Sequence, residues 1–201
     1  MNPEPPILIV FAGPNGAGKT TLYRHLFSES RLPWVNADQI ALETGVDAYQ
    51  AAAMAEAERH RLLAAGKSFV METVFSDPVG AKVDFLKWAR ASGYRVIVHF
   101  IGLDSAMRSR VRVFQRVQGG GHDVPDDRID RRYPRVLENL RRLLGEVDDL
   151  TLYDNSSSTE PYRILARFEG PRLIDVSAAL PPWTHTLEVS RFHTATTRLL
   201  P

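Results

Sequence analysis

The string G-P-N-G-A-G-K-T, from Gly13 to Thr20, follows directly on the apolar run Ile7 to Val10. No other feature restricts what this chain can fold into as strongly. A G-x-x-x-x-G-K-T loop works when a buried strand enters it and a helix leaves it. The backbone NH groups then converge on phosphate oxygens, and the helix N-terminus adds unpaired NH groups and the positive end of its dipole. Gly13, Gly16 and Gly18 allow the close backbone approach this needs. Lys19 neutralises terminal phosphate oxygens, and the Thr20 hydroxyl is placed for magnesium. Pro14, Asn15, Ala17 and Thr21 complete the loop. ATP and Mg2+ are therefore the expected cofactors, while the fate of the phosphate is left to the rest of the chain.

The flanking pattern agrees. Residues 7–12 read as a buried strand and residues 19–27 as the helix it feeds. Residues 34–36 read as a short strand, 48–65 as an alanine-rich helix stopped by Gly66, 69–74 as a strand and 79–91 as a helix. The longest buried strand is expected over 94–103, then a helix capped by Asp104 and running to Gln118, and another helix over 126–144. Strands follow at 150–153, 162–168 and 173–176, with the stretch NSSSTEP from Asn155 as a surface turn. Alternating strands and helices imply an α/β fold: a doubly wound, mostly parallel sheet of the P-loop NTPase, kinase-like type, covered on both faces. One kinase domain is expected over residues 1–182, with an arginine-rich helical lid over about 104–145 and a C-terminal tail over 183–201.

Composition narrows the setting. With 201 residues the chain can bury a full core, and with no cysteine it has neither disulfides nor thiolate chemistry. No apolar run approaches the roughly 20 residues that span a bilayer, and residues 1–6 lack a basic leader, so a cytoplasmic protein without a membrane partner is expected. A net charge of +1 speaks against a general nucleic-acid binder. Ten arginines nevertheless fall between Arg108 and Arg142, a local cluster suited to concentrated anionic charge.

Three further constellations bear on the fate of the phosphate. In W-V-N-A-D-Q-I-A, Asp38 is placed to take the proton of an attacking hydroxyl, or to cap a helix; Asn36 either positions substrate or ends its strand. In V-M-E-T-V-F-S, Glu72 is a carboxylate inside an apolar strand, which is costly without a compensating group. Near the carboxyl end of that strand, Glu72 and Thr73 can meet acceptor hydroxyls or magnesium-bound water. Ser76 and Asp77 read as turn formers. In the arginine segment, Arg112 and Arg116 share a helix face, and the break at Gly119 to Gly121 supplies a hinge, with His122 as a hinge residue. No histidine pair has metal spacing, so no protein-held zinc is expected. The loop also looks like that of transporter ATPases, but V-Q-G-G-G-H-D-V-P is no L-S-G-G-Q signature, and no hydrophobic run ends in Asp-Glu.

Taken in order, G-P-N-G-A-G-K-T-T, N-A-D-Q-I-A, M-E-T-V-F-S and the arginine hinge followed by I-D-R-R-Y-P-R-V-L-E-N-L resemble the zeta-toxin-type kinases, in particular a short bacterial branch, over residues 7–145. The resemblance implies ATP-dependent phosphorylation of a sugar hydroxyl, typically on UDP-N-acetylglucosamine, by a toxin restrained by an antitoxin protein. It implies that Lys19 and Thr20 hold ATP and magnesium, Asp38 is the base, Glu72 and Thr73 contact acceptor, and Arg112 and Arg116 bind the transferring phosphate. Asn36 and Arg132 join the acceptor side. The hinge carries one glycine more than the family pattern, and the chain is shorter than the best-known toxins. A kinase for a nucleoside, a nucleic-acid end or another small alcohol, and an ATP- or RNA-binding regulatory module, use the same residues.

Overall fold

A computed structural model describes residues 4–121, 123–192 and 198–200. His122, expected at the hinge, lies outside the described residues, as do 193–197 of the C-terminal segment. The strands are β1 (Ile7–Ala12), β2 (Trp34–Val35), β3 (Phe69–Thr73), β4 (Arg95–Gly102), β5 (Asp149–Asp154), β6 (Arg163–Glu169), β7 (Arg172–Ser177) and β8 (Arg198–Leu200). The helices are α1 (Lys19–Phe27), α2 (Ala37–Thr44), α3 (Ala48–Ala64), α4 (Ala81–Ala91), α5 (Ala106–Gln118) and α6 (Asp126–Leu143).

The sheet runs β2-β3-β1-β4-β5-β6-β7-β8. From β2 to β5 every pair is parallel, because a helix returns the chain between successive strands. β5, β6 and β7 pair antiparallel, their connections being too short for a crossover, and β8 returns parallel to β7. β1 is sandwiched on both faces: Leu8, Val10 and Ala12 join the core shared with α3, α4 and α6, while Ile9 and Phe11 join a second core with Leu22 of α1, Ile101 and Leu103. That double burial explains a strand written as an unbroken apolar run.

Two local expectations change. α5 is capped by Ser105, whose hydroxyl accepts from Arg108 N at 3.1 Å, not by Asp104, which pairs with the Arg108 side chain. The segment expected as a tail is packed: Pro182–Leu187 and Val189–Phe192 form 3-10 turns, and Trp183, Leu187 and Val189 are buried in the main core. Gly102, at the end of β4, is what admits Trp183; a Cβ there would lie 2.2 Å from the indole ring. The weak periodicity after Pro181 concealed this, because short 3-10 turns carry no long repeat.

Trp183→Ala is expected to cost about 3–5 kcal/mol of stability, read as a lower urea midpoint with an unchanged slope, because a large buried ring leaves a cavity. His99 on β4 stacks on Phe11 at a centroid distance of 5.0 Å, and its Nδ1 lies 3.1 Å from the Tyr153 hydroxyl. Burial lowers its pKa from 6.5 to about 4. Above pH 6.5 both folded and unfolded states hold it neutral; below that the unfolded chain takes up the proton first. Stability is then lost as pH falls through that window, by roughly 3 kcal/mol at its lower end. His99→Phe should flatten this part of the acid limb in urea titrations.

Candidate active site

The loop between β1 and α1 begins with Gly13, whose φ is +144°; a Cβ there would lie 2.1 Å from the Ile101 carbonyl oxygen. The loop is thus pressed against β4, and no side chain fits at this position. Lys19, 7% exposed, donates from Nζ to the Pro14 carbonyl at 3.0 Å and lies 4.0 Å from Glu72 Oε1. Burial pushes its ammonium pKa down, while Glu72 and Asp38 oppose that shift and Arg116 and Arg132 reinforce it. One lysine therefore senses carboxylates and guanidiniums from four other segments.

Glu72 is the junction. Its Oε2 accepts from the Thr20 hydroxyl at 2.8 Å and from Asn36 Nδ2 at 2.9 Å. β3 lies beside β1 in register, Phe11 opposite Glu72 and Ala12 opposite Thr73, so the carboxylate emerges beside the start of α1. Asn36 both ends β2 and caps α2, its Oδ1 accepting from Asp38 N at 2.8 Å and Gln39 N at 3.4 Å. The cap is therefore not Asp38. Its side chain is exposed, and among the described residues nothing donates a hydrogen bond to the carboxylate. Thr73 Oγ1 accepts from Phe75 N at 3.1 Å in a turn where buried Phe75 adopts φ +64°. Asn139 of α6 holds that turn by donating to the carbonyls of Phe75 and Asp77. Asp77 caps α4, in line with its reading as a turn former.

α5 and the first turns of α6 lie over the loop. A Cβ on Gly16 would lie 2.9 Å from Arg112 Cβ and 3.1 Å from the Ser109 carbonyl. Arg132 NH1 is 3.5 Å from Asn15 Oδ1. The later turns of α6, through Val136, Leu140 and Leu143, belong to the main core, so the overlying part is shorter than residues 104–145. The two paired arginines separate. Arg116 lines both cavities beside Asp38, whereas Arg112, one turn earlier and over Gly16, lines neither and interacts electrostatically with Arg108, Tyr162, Asp104 and Asp154. Burial lowers the pKa of Arg112 and of Arg132.

Two cavities meet at Asp38. The larger, about 650 Å³, is lined by Thr20, Arg24, Trp34, Leu42, Val46 and Arg116 among others. The smaller, about 230 Å³, brings together Lys19, Asp38, Glu72, Thr73 and Arg116 with three charged residues that sequence reasoning missed: Glu56, Arg59 and Lys82. Missed too were Asn155 and Tyr162. Asn155 Nδ2 donates to the Ala17 carbonyl at 2.9 Å and the Tyr162 hydroxyl to the Gly18 carbonyl at 3.0 Å, bracing the loop from behind. Tyr162 is also a hydrogen-bonding neighbour of Thr21. Asn155 is 5% exposed, so NSSSTEP is a surface turn only after its first residue. Its position just beyond the carboxyl end of β5, where ligands of open α/β sheets gather, was the available signal.

A glycine-rich loop between β1 and α1, at the carboxyl edge of a mostly parallel sheet, defines a P-loop NTPase of the kinase-like fold. The chain belongs to the AAA domain family, which it matches over residues 8–138. It is 25% identical over 130 residues to an uncharacterized protein of Haemophilus influenzae, covering 62% of this chain and 91% of that one. Among solved structures it is similar to a chain of the PezAT chromosomal toxin-antitoxin system of Streptococcus pneumoniae, with 20% identity, a TM-score of 0.56, and coverage of 77% of this chain and 69% of that one. It is also similar to a chain of the AvrRxo1-ORF1:AvrRxo1-ORF2 structure with sulphate ions, with 17% identity, a TM-score of 0.62, and coverage of 84% of this chain and 60% of that one. At these identities the structural likeness is one of fold. Among the described residues, no helix is long and apolar enough to cross a membrane.

If Asn155 and Tyr162 hold the loop in shape, Asn155→Ala should weaken binding of a fluorescent ATP analogue about tenfold, the size of one lost buried hydrogen bond, with the fold retained by circular dichroism.

Proposed function

We propose that this protein transfers the γ-phosphate of ATP to a hydroxyl of a small molecule, in the manner of zeta-toxin-type kinases. A sugar nucleotide such as UDP-N-acetylglucosamine is the acceptor class, and a cognate antitoxin is the protein partner. The observation that carries this reading is the position of Asp38: a carboxylate free of capping duty, facing a cavity that it shares with Lys19, Glu72 and Arg116. A protein that only bound or hydrolysed ATP would have no need of a second, acceptor-sized space beside the phosphate loop. The cavity of about 650 Å³ next to it, with Trp34 and Arg24 in its walls, is within the size range of small-molecule sites and leaves room for the remainder of the acceptor.

The roles follow from the geometry. The backbone from Gly13 to Gly18 and Lys19 receive the nucleotide phosphates. Thr20 and Glu72, a hydroxyl and a carboxylate 2.8 Å apart, fit a magnesium site of the kind completed by phosphates and water. Bound there, Mg2+ supplies screening of the phosphate charge. Of the two roles open to Glu72, this one is favoured by its contact with Thr20; Asn36 then orients Glu72 instead of touching the acceptor. Asp38 accepts the proton as the acceptor oxygen bonds to the γ-phosphorus and the bond from that phosphorus to the bridging oxygen breaks, releasing ADP. Arg116 and Arg132, whose fields reach Lys19, stabilise the charge moving between donor and acceptor. Arg112, over Gly16 of the loop, suits the nucleotide side.

The PezAT system is named as a toxin-antitoxin pair, which supports an antitoxin partner here. Asp38→Asn is expected to lower kcat by about 10²- to 10⁴-fold with little effect on ATP binding. Lys19→Ala should abolish transfer and any growth arrest on expression. Mass spectrometry of metabolites incubated with protein, ATP and magnesium reads the product; wild-type transfer by Asp38→Asn would overturn the assignment.

A further inference from the structure

We infer that the acceptor carries an anionic group, a carboxylate or a phosphate, and that Arg59 and Lys82 receive it in the smaller cavity. This rests on the phosphotransfer reading and deepens it. α3 presents Ala52, Ala55, Glu56 and Arg59 to that cavity, positions three or four apart and therefore on one helix face. The two alanines leave the space, and the charges lie further along the same face.

Arg59 is 5% exposed. Its NH2 donates to Glu56 Oε2 at 2.5 Å, but its Nε–H is buried and has no hydrogen-bond partner among the described residues. Lys82, in the first turn of α4, reaches the same Glu56 oxygen. Two cations thus face one carboxylate, which leaves a surplus of one positive charge. Glu56 does not lose its charge to restore the balance at neutral pH: burial would raise its pKa, but the bonds from Lys82 and Arg59 hold it at about 2. A neutral alcohol would leave that surplus uncompensated, whereas a carboxylate or phosphate supplies the missing negative charge.

The direction is productive as well. The same cavity reaches Asn15, Gly16 and Lys19 of the phosphate loop and takes in Asp38, Glu72 and Arg116, the residues assigned to transfer. An acceptor anchored by its anion at Arg59 lies in one cavity with Asp38 and the phosphate loop, which allows its hydroxyl to face both.

The test keeps the phosphate loop occupied with magnesium and a non-hydrolysable ATP analogue, so that binding is measured apart from transfer. The full chain is titrated calorimetrically with D-glucuronate, glucose 1-phosphate, UDP-N-acetylglucosamine and D-glucose. At least one anionic probe should bind about tenfold or more tighter than glucose, and Arg59→Gln should weaken it by about tenfold or more. Lys82→Gln, in a partly exposed side chain, should weaken the same probe and serves as the test if a thermal melt shows Arg59→Gln to be misfolded. The preferred probe distinguishes carboxylate from phosphate. Glucose binding as tightly as the anions, no anion binding at all, or wild-type affinity in the folded variants would each overturn the inference. A parallel incubation with ATP separates the two readings: anions that bind without receiving phosphate sink the phosphotransfer reading and leave the anion site standing. Equal transfer to neutral and anionic alcohols does the reverse.

Discussion

The Glu72 carboxylate, at the carboxyl end of an otherwise apolar strand, holds the site together. Its Oε2 takes hydrogen bonds from Thr20 at the start of α1 and from Asn36 at the start of α2, and its Oε1 faces Lys19. An ionised carboxylate in this position would be strongly disfavoured alone; two donors and a nearby ammonium make it tenable. In return it aligns three segments that are far apart in sequence. Asn36 is tied down by this bond, and because Asn36 caps α2, the Asp38 side chain is released toward the cavities.

The rest of the site extends outward from that junction by charge. Arg116 and Arg132, from the overlying helices, act electrostatically on Lys19, whereas Arg59 of α3 and Lys82 of α4 gather around Glu56. The cations thus form two groups, one around Lys19 and one around Glu56. One faces the loop where nucleotide phosphates are proposed to lie, and the other faces the proposed acceptor. Placing them apart avoids the repulsion of a single cationic cluster and gives two anionic molecules separate positions on one site.

Much of this architecture was legible beforehand, and the reason differs from element to element. β1 and α1 were read within their bounds because a buried apolar run and a loop of fixed spacing are strong local signals. α3 and β4 were visible through length and composition. The C-terminal segment was not, because Trp183 is buried by a contact with Gly102 that no periodicity announces. The three successive strands β5, β6 and β7 fit the reading of a mostly parallel sheet, and their antiparallel pairing, which that reading did not specify, follows from the short intervening loops. At the site, Lys19, Thr20, Asp38 and Glu72 were all named, but Arg112 and Arg116 were treated as equivalent, whereas of the two Arg116 lines the cavities beside Asp38. Arg59 passed unnoticed because, inside an alanine-rich helix with glutamates at i−3 and i−1, it reads as an ordinary solvated charge.

By itself the sequence determined the phosphate loop, the strand before it and the helix after it, because their physics is local: glycine at fixed spacing, an apolar run, a helix terminus. The tertiary structure decided what stands around that loop. Only the order β2-β3-β1-β4 sets Glu72 beside Thr20 and Asn36. Only the packing of α3 and α4 turns Glu56, Arg59 and Lys82 toward the same cavity as Lys19 and Asp38. These convergences depend on register and crossover between segments tens of residues apart, which no spacing along the chain encodes.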